Sequence, residues 1–105
     1  MENLDQKTWR EKISKDKNAV IIDARTPQEW ETGIIKDALL IDFLQASSFM
    51  EELNKLDKSK NYYIYCRSGN RSGQACQIAD SIGCNETYNL MGGMLVWNEE
   101  TVSPS

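Results

Sequence analysis

Four short runs of β-branched, aromatic or aliphatic residues, each separated from the next by a stretch with helical character, limit the fold of this chain more than any other feature. They are Ala19-Val20-Ile21-Ile22-Asp23-Ala24, Ala38-Leu39-Leu40-Ile41, Tyr62-Tyr63-Ile64-Tyr65 and a segment near Glu86 to Leu90. Apolar runs without polar alternation belong to strands covered on both faces, and helices between them carry the chain back to start a parallel neighbour. The pattern therefore predicts an α/β fold: a mostly parallel central sheet of four to five strands with helices on both faces, a three-layer sandwich. Asp5 or Thr8 caps a first helix with Leu4, Trp9 and Ile13 as its buried stripe. Thr26 caps a second, with Pro27 at the first helical position and Glu29 three residues after the cap. Ser47 to Leu56 reads as a helix with Phe49, Met50, Leu53 and Leu56 inward. A further helix runs from about Arg71 to Ile82 and stops at Gly83. Met91-Gly92-Gly93 then leads into a short helix through Trp97. At 105 residues there is room for one core, so residues 1–105 are read as one domain in which 101–105 is a frayed tail.

Composition narrows the function classes. The net charge is −4 and no basic stripe is present, which argues against nucleic acid as a partner. No apolar run has the length of a membrane span, and Met1-Glu2-Asn3-Leu4-Asp5 is polar and acidic, so neither membrane association nor a secretory signal is expected. Cys66, Cys76 and Cys84 are the three cysteines, nowhere spaced as Cys-x2-Cys, and histidine is absent. A metal site is not expected from such a set, and neither is a cofactor. Nucleophile pairs that use an imidazole base are ruled out. Unpaired thiols favour a reducing compartment, so the expected location is cytoplasmic. Cys76 falls on the helix face shared with Ala75, Ile78, Ala79 and Ile82 and reads as a core residue. Cys84 follows Gly83 and reads as the more exposed thiol, the better candidate for redox exchange.

Cys66 differs from both. The segment from Tyr63 to Ala75 delivers it from the end of a strand into the turn Arg67-Ser68-Gly69-Asn70 that opens a helix. A thiol with its ordinary pKa of about 8.5 is only roughly 3% ionised at pH 7, and the thiolate is the nucleophile. The sequence supplies what would stabilise that charge: Arg67, Arg71, the unpaired N–H groups of the first helical turn and the helix dipole. Gly69 and Asn70 tolerate the left-handed backbone that an anion nest requires. Cys66 is thus the expected catalytic residue, and Arg67, Ser68, Gly69, Asn70, Arg71 and Ser72 the expected substrate-binding loop. Arg67 either lines the site or points outward to recruit an anion. Ser72 either donates its hydroxyl to the sulfur or caps the helix. Asp23 and Arg25 end a neighbouring strand, and Arg25 is expected to form a structural ion pair with Glu29 or Asp23.

Three separated signatures resemble the single-domain rhodanese family over about Leu4 to Glu99. They are Val20 to Trp30 with its Asp23-x-Arg25-x3-Glu29-Trp30 pattern, the Cys66 to Ser72 loop, and Leu90-Met91-Gly92-Gly93-Met94-Leu95-Val96-Trp97. The resemblance implies a sulfurtransferase that moves a sulfane sulfur from a donor such as thiosulfate to cyanide or an acceptor thiol through a Cys66 persulfide. Its implied partners are that small-molecule donor and acceptor, or a sulfur-accepting protein. A non-enzymatic sulfur carrier or thiol-sensing module is the alternative. Rhodanese-fold phosphatases are the less favoured one, since they use Cys-x5-Arg where this chain has Cys66-x4-Arg71. One departure stands out: where the family often reads Gly-His-Ile-x-Gly-Ala, this chain reads Gly33-Ile34-Ile35-Lys36-Asp37-Ala38.

Overall fold

The computed structural model describes residues 1–104. In chain order the elements are β1 (Glu2–Leu4), α1 (Gln6–Lys15), β2 (Ala19–Asp23), α2 (Pro27–Trp30), β3 (Leu39–Leu40), α3 (Ala46–Lys55), β4 (Asn61–Tyr65), α4 (Asn70–Ser81), β5 (Glu86–Leu90) and α5 (Gly93–Val96). The five strands form one parallel sheet in the order β1-β5-β4-β2-β3. Strand β4 lies in the middle, so the residue that follows it emerges at the centre of the sheet's carboxyl edge.

Alternation along β4 divides the apolar residues into two cores. Tyr62 and Ile64 face a core with Ile22, Phe49, Leu53, Ala75, Cys76 and Ala79, which seats α3 and α4 on one side. Tyr63 and Tyr65 face the other, with Leu4, Trp9, Ile35, Tyr88 and Leu90, against α1 and α5. Trp9 anchors this second layer: its ring meets Tyr63, Tyr65 and Trp97 edge-on at 6.0, 6.2 and 6.0 Å, the geometry that ring quadrupoles favour. Local signals fix the helix starts. Asp5 accepts the Thr8 N–H at 2.8 Å, and Thr26 with Glu29 makes a capping box ahead of Pro27. No helix among the described residues is long and apolar enough to cross a membrane.

Several expectations need correction. Residues Glu2 to Leu4 form a strand rather than a helix approach, pairing with β5 from Glu2 opposite Tyr88 to Leu4 opposite Leu90. A three-residue strand with two exposed polar side chains leaves no periodicity to read. Met50 is exposed, because Phe49 and Leu53 define the inward line of α3 and Met50 lies one position off it. Cys84 is buried: Gly83 turns with φ +96, and the Cys84 N–H returns to the Ala79 carbonyl at 3.1 Å, folding the thiol into the α3/α4 core. Burial pushes its pKa up, so the exchange role foreseen for it has no geometric basis. The tail expected to fray is instead tied down at Val102, which exchanges backbone hydrogen bonds with Ile34 at 2.8 and 2.9 Å. Ser105 lies outside the described residues.

That pairing also explains the unusual connection between α2 and β3. Ile34 is buried and serves packing. Asp37 adopts φ 70, and no other non-glycine among the described residues has positive φ. Left-handed backbone crowds Cβ, a cost that aspartate bears better than most residues. Asp37→Gly should relieve it and raise stability by about 0.5 kcal/mol, net of the extra unfolded-state entropy of glycine. Chemical denaturation of the two chains checks this.

Candidate active site

The Cys66 sulfur is held by donors from the turn and the first turn of α4. The Gly69 N–H donates to Sγ at 3.1 Å, the Ser72 N–H at 3.3 Å and the Ser72 hydroxyl at 3.3 Å. Gly69 reaches this position with φ +100 as the N-cap of α4, a conformation that glycine adopts without penalty. Asn70 is the first helical residue and is not left-handed, so the nest needs one special residue rather than two. Burial pushes the Cys66 thiol up, but the Ser72 hydroxyl, the Ser72 and Gly69 N–H groups and that of Ser68 outweigh it and leave the pKa below the ordinary value. Cys76 goes the other way. Buried in the apolar core, it is pushed up to about 12.

Arg71 directs its hydrogen bonds at Glu29 rather than at the sulfur, although it stays within electrostatic reach of Cys66. Its two terminal nitrogens each meet a Glu29 carboxylate oxygen at 2.9 Å, a bidentate pair between α4 and α2 that largely cancels the charge expected to act on Cys66. Glu29 in turn is pulled down to about 2, chiefly by Arg71 and against the cost of burial. Arg25 chooses Asp23, with Arg25 Nη2 to Asp23 Oδ2 at 2.8 Å in a buried pair, and also donates to the Gly33 carbonyl at 2.7 Å. Arg67 points outward: it is exposed and lines a cavity of about 330 Å³ beside the loop, with Arg25, Gln28, Glu29, Thr32, Met94 and Leu95. Ser68 and Asn70 are also exposed. A larger cavity of about 640 Å³, lined by Trp9, Ile13 and Trp97 among others, lies on the α1/α5 side and includes none of the loop residues.

Two further contributors close the loop from behind. The Met94 and Leu95 N–H groups of α5 donate to the Cys66 and Arg67 carbonyls, both at 3.0 Å, so the donors left free at the start of one helix serve carbonyls that a tight turn would strand. Gly93 permits the approach: a Cβ there would lie 2.4 Å from the Cys66 carbonyl oxygen and 2.6 Å from that of Arg67. Asn89, at the end of β5, accepts from the Ser72 hydroxyl at 2.5 Å and donates to the Gly69 carbonyl at 3.0 Å. Sequence reasoning missed Asn89, although an asparagine inside a central strand has to find buried partners and was a usable signal.

A family model for the rhodanese-like domain matches residues 6–100 of the chain. The chain belongs to the rhodanese-like family. Among its rhodanese relatives is a putative sulfurtransferase of Bacillus subtilis, 38% identical over 92 residues that cover 88% of this chain and 85% of that protein. A sulfurtransferase of Allochromatium vinosum is 33% identical over 94 residues, covering 90% and 85% of the two chains. The crystal structure of a rhodanese-like domain protein from Staphylococcus aureus superimposes with a TM-score of 0.85 at 29% identity and covers 100% of both chains. The rhodanese sheet and its helices on both faces are thus those the sequence predicts.

Two outcomes follow from this geometry. Gly93→Ala places Cβ against backbone atoms that cannot rotate away, so it should displace the loop, cost about 2 kcal/mol or more of stability and slow alkylation of Cys66 at neutral pH. Glu29 is depressed in the folded chain, so its pairing with Arg71 stabilises fully above the ordinary glutamate value of 4.5 and is lost as pH falls toward about 2. Glu29→Gln should therefore unfold at lower denaturant than the native chain at pH 7, and the gap should narrow below pH 4.5.

Proposed function

We propose that this rhodanese-like chain is a sulfurtransferase in which Cys66 carries the transferred sulfur as a persulfide. The reading is supported above all by the convergence of the Gly69 N–H, the Ser72 N–H and the Ser72 hydroxyl on one sulfur. Relatives named sulfurtransferases agree with it. With thiosulfate as donor, the Cys66 thiolate attacks the outer sulfur, a new S–S bond forms, and the S–S bond of thiosulfate breaks with its electron pair leaving on sulfite. The persulfide's outer sulfur then passes to cyanide or to a thiolate, and the electron pair of the broken bond restores the Cys66 thiolate. No outside oxidant or reductant enters. Donor, leaving group and persulfide are all anions, and oriented N–H groups need no reorganisation to meet them. Arg67 is the cation of the loop without a carboxylate partner among the described residues, which suits it to recruiting the donor at the cavity beside the loop.

A phosphatase reading is less well supported. Phosphate transfer calls for an arginine fork on the oxyanion, and both Arg71 terminal nitrogens are engaged by Glu29. For the acceptor, a thiol carried by a partner protein suits the surroundings. Met91, Leu95 and Val96 are exposed apolar residues on and beside α5, the helix whose amides hold the Cys66 turn, and grouped exposed apolar side chains are a common mark of protein contact.

Incubation with thiosulfate should add the mass of one sulfur atom to the intact chain, and cyanide should remove it. Cys66→Ser should abolish both the adduct and thiosulfate:cyanide transfer, while Cys76→Ser and Cys84→Ser keep most of the activity. Transfer that persists in Cys66→Ser overturns the mechanism.

A further inference from the structure

The Ser72 hydroxyl has one proton and faces two acceptors. Its Oγ lies 3.3 Å from Cys66 Sγ and 2.5 Å from Asn89 Oδ1. The orientation of the Asn89 amide is fixed by its other end, because Nδ2 donates to Asn3 Oδ1 at 2.9 Å and to the Gly69 carbonyl at 3.0 Å. A flipped amide would set oxygen against two oxygens. Ser72 has no exposed surface and Asn89 is 5% exposed, so bulk solvent does not supply a second donor.

We propose that Asn89 is a positioning residue for Cys66: it competes with the sulfur for the Ser72 proton and so makes that donation depend on negative charge at Sγ. In the thiol, the hydroxyl points to Asn89 and its oxygen is free to accept the S–H. In the thiolate, the charged acceptor wins and the proton turns to Sγ, since hydrogen bonds to ionised groups are roughly twice as strong as neutral ones. In a persulfide the charge sits on the outer sulfur, the proton returns to Asn89, and Sγ is released from its donor. The competition also keeps the thiolate from being over-stabilised, and a thiolate loses nucleophilicity as its pKa falls. Strand β1 takes part through Asn3, which anchors Asn89 from the sheet edge.

The other charged or titratable groups around the sulfur are Arg71 with its partner Glu29 from α2, the Asp23–Arg25 pair after β2, the exposed Arg67, and Cys76 farther along α4. Both arginines have carboxylate partners, the Arg71 interaction with Cys66 is common to every variant compared, Cys76 stays protonated at neutral pH, and a change at Asn89 touches none of them directly. This inference rests on Cys66 working as a thiolate. Its test needs no sulfur donor, so a chain that fails to transfer sulfur still answers it.

The test is the pH dependence of iodoacetamide alkylation, read on the Cys66 peptide by mass spectrometry. Asn89→Ala should lower the midpoint by about 0.5 to 1 pH unit, the scale of one redirected charge-assisted hydrogen bond. Ser72→Ala should raise it, and adding Asn89→Ala to Ser72→Ala should leave it where Ser72→Ala alone puts it. An Asn89→Ala midpoint that rises or stays put overturns the proposal, as does an equal fall in both backgrounds. A role limited to bracing the loop predicts the rise, because the N–H donors would drift from the sulfur. If Asn89→Ala does not fold, Asn89→Leu serves: it keeps the side chain's volume without the acceptor, so it should lower the midpoint with the serine present and not in the Ser72→Ala background, and equal shifts in both overturn the idea.

Discussion

Holding a sulfur anion inside a protein requires several donors to converge on one atom, and most of this structure near the carboxyl edge answers that requirement. Cys66 has no exposed surface, so desolvation works against its charge. Backbone N–H groups and one hydroxyl offset that cost at 3.1 to 3.3 Å. Each donor is set in place by something else: Gly69 by its left-handed turn, Ser72 by the first turn of α4, and the turn by amides of α5 that take its carbonyls. Since the donors are dipoles fixed in the backbone, the site depends little on side-chain motion and much on the packing of two helices against the end of β4.

Charge in the neighbourhood is organised mainly into ion pairs. Two arginines near the site have carboxylate partners, Arg25 with Asp23 and Arg71 with Glu29. Both pairs tie the α2 region to the rest of the fold: Arg25 reaches Gly33 from β2's end, and Arg71 reaches across to α2. Removing one member of a buried pair is costly because the other is left uncompensated. These arginines therefore shape the walls of the site, while Arg67 stands exposed at the cavity beside the loop.

What the sequence disclosed follows the range of the interactions involved. The Cys66 turn, the Thr26–Glu29 box and the Gly83 stop are local, each written within a few residues, and each lies where the pattern put it. The parallel sheet followed from the spacing of apolar runs. Partner choice between distant charges was not legible, since nothing in the spacing says that Arg71 meets Glu29 rather than the loop sulfur. Asn89 was passed over because its partners come from two segments far from it in the chain, Asn3 in β1 and Gly69 with Ser72 at the start of α4. The edge strand β1 was hidden by its shortness and polarity, and Cys84 by a reversal at Gly83 that carries the chain back to the core instead of outward.

The sheet order sets the first strand beside the last: among the described residues, β1 pairs with β5 alone. The amides that support the Cys66 turn come later still, from Met94 and Leu95. In a chain made from its amino end, Cys66 is therefore synthesised well before the groups that brace its turn, and strand β1 waits for its only neighbour through most of translation. Until those residues arrive the cysteine is an ordinary thiol, slow toward electrophiles and oxidants. On the proposed role of Cys66, reactivity arrives late in synthesis, so the nascent polypeptide is spared a nucleophile that it has no means yet to control.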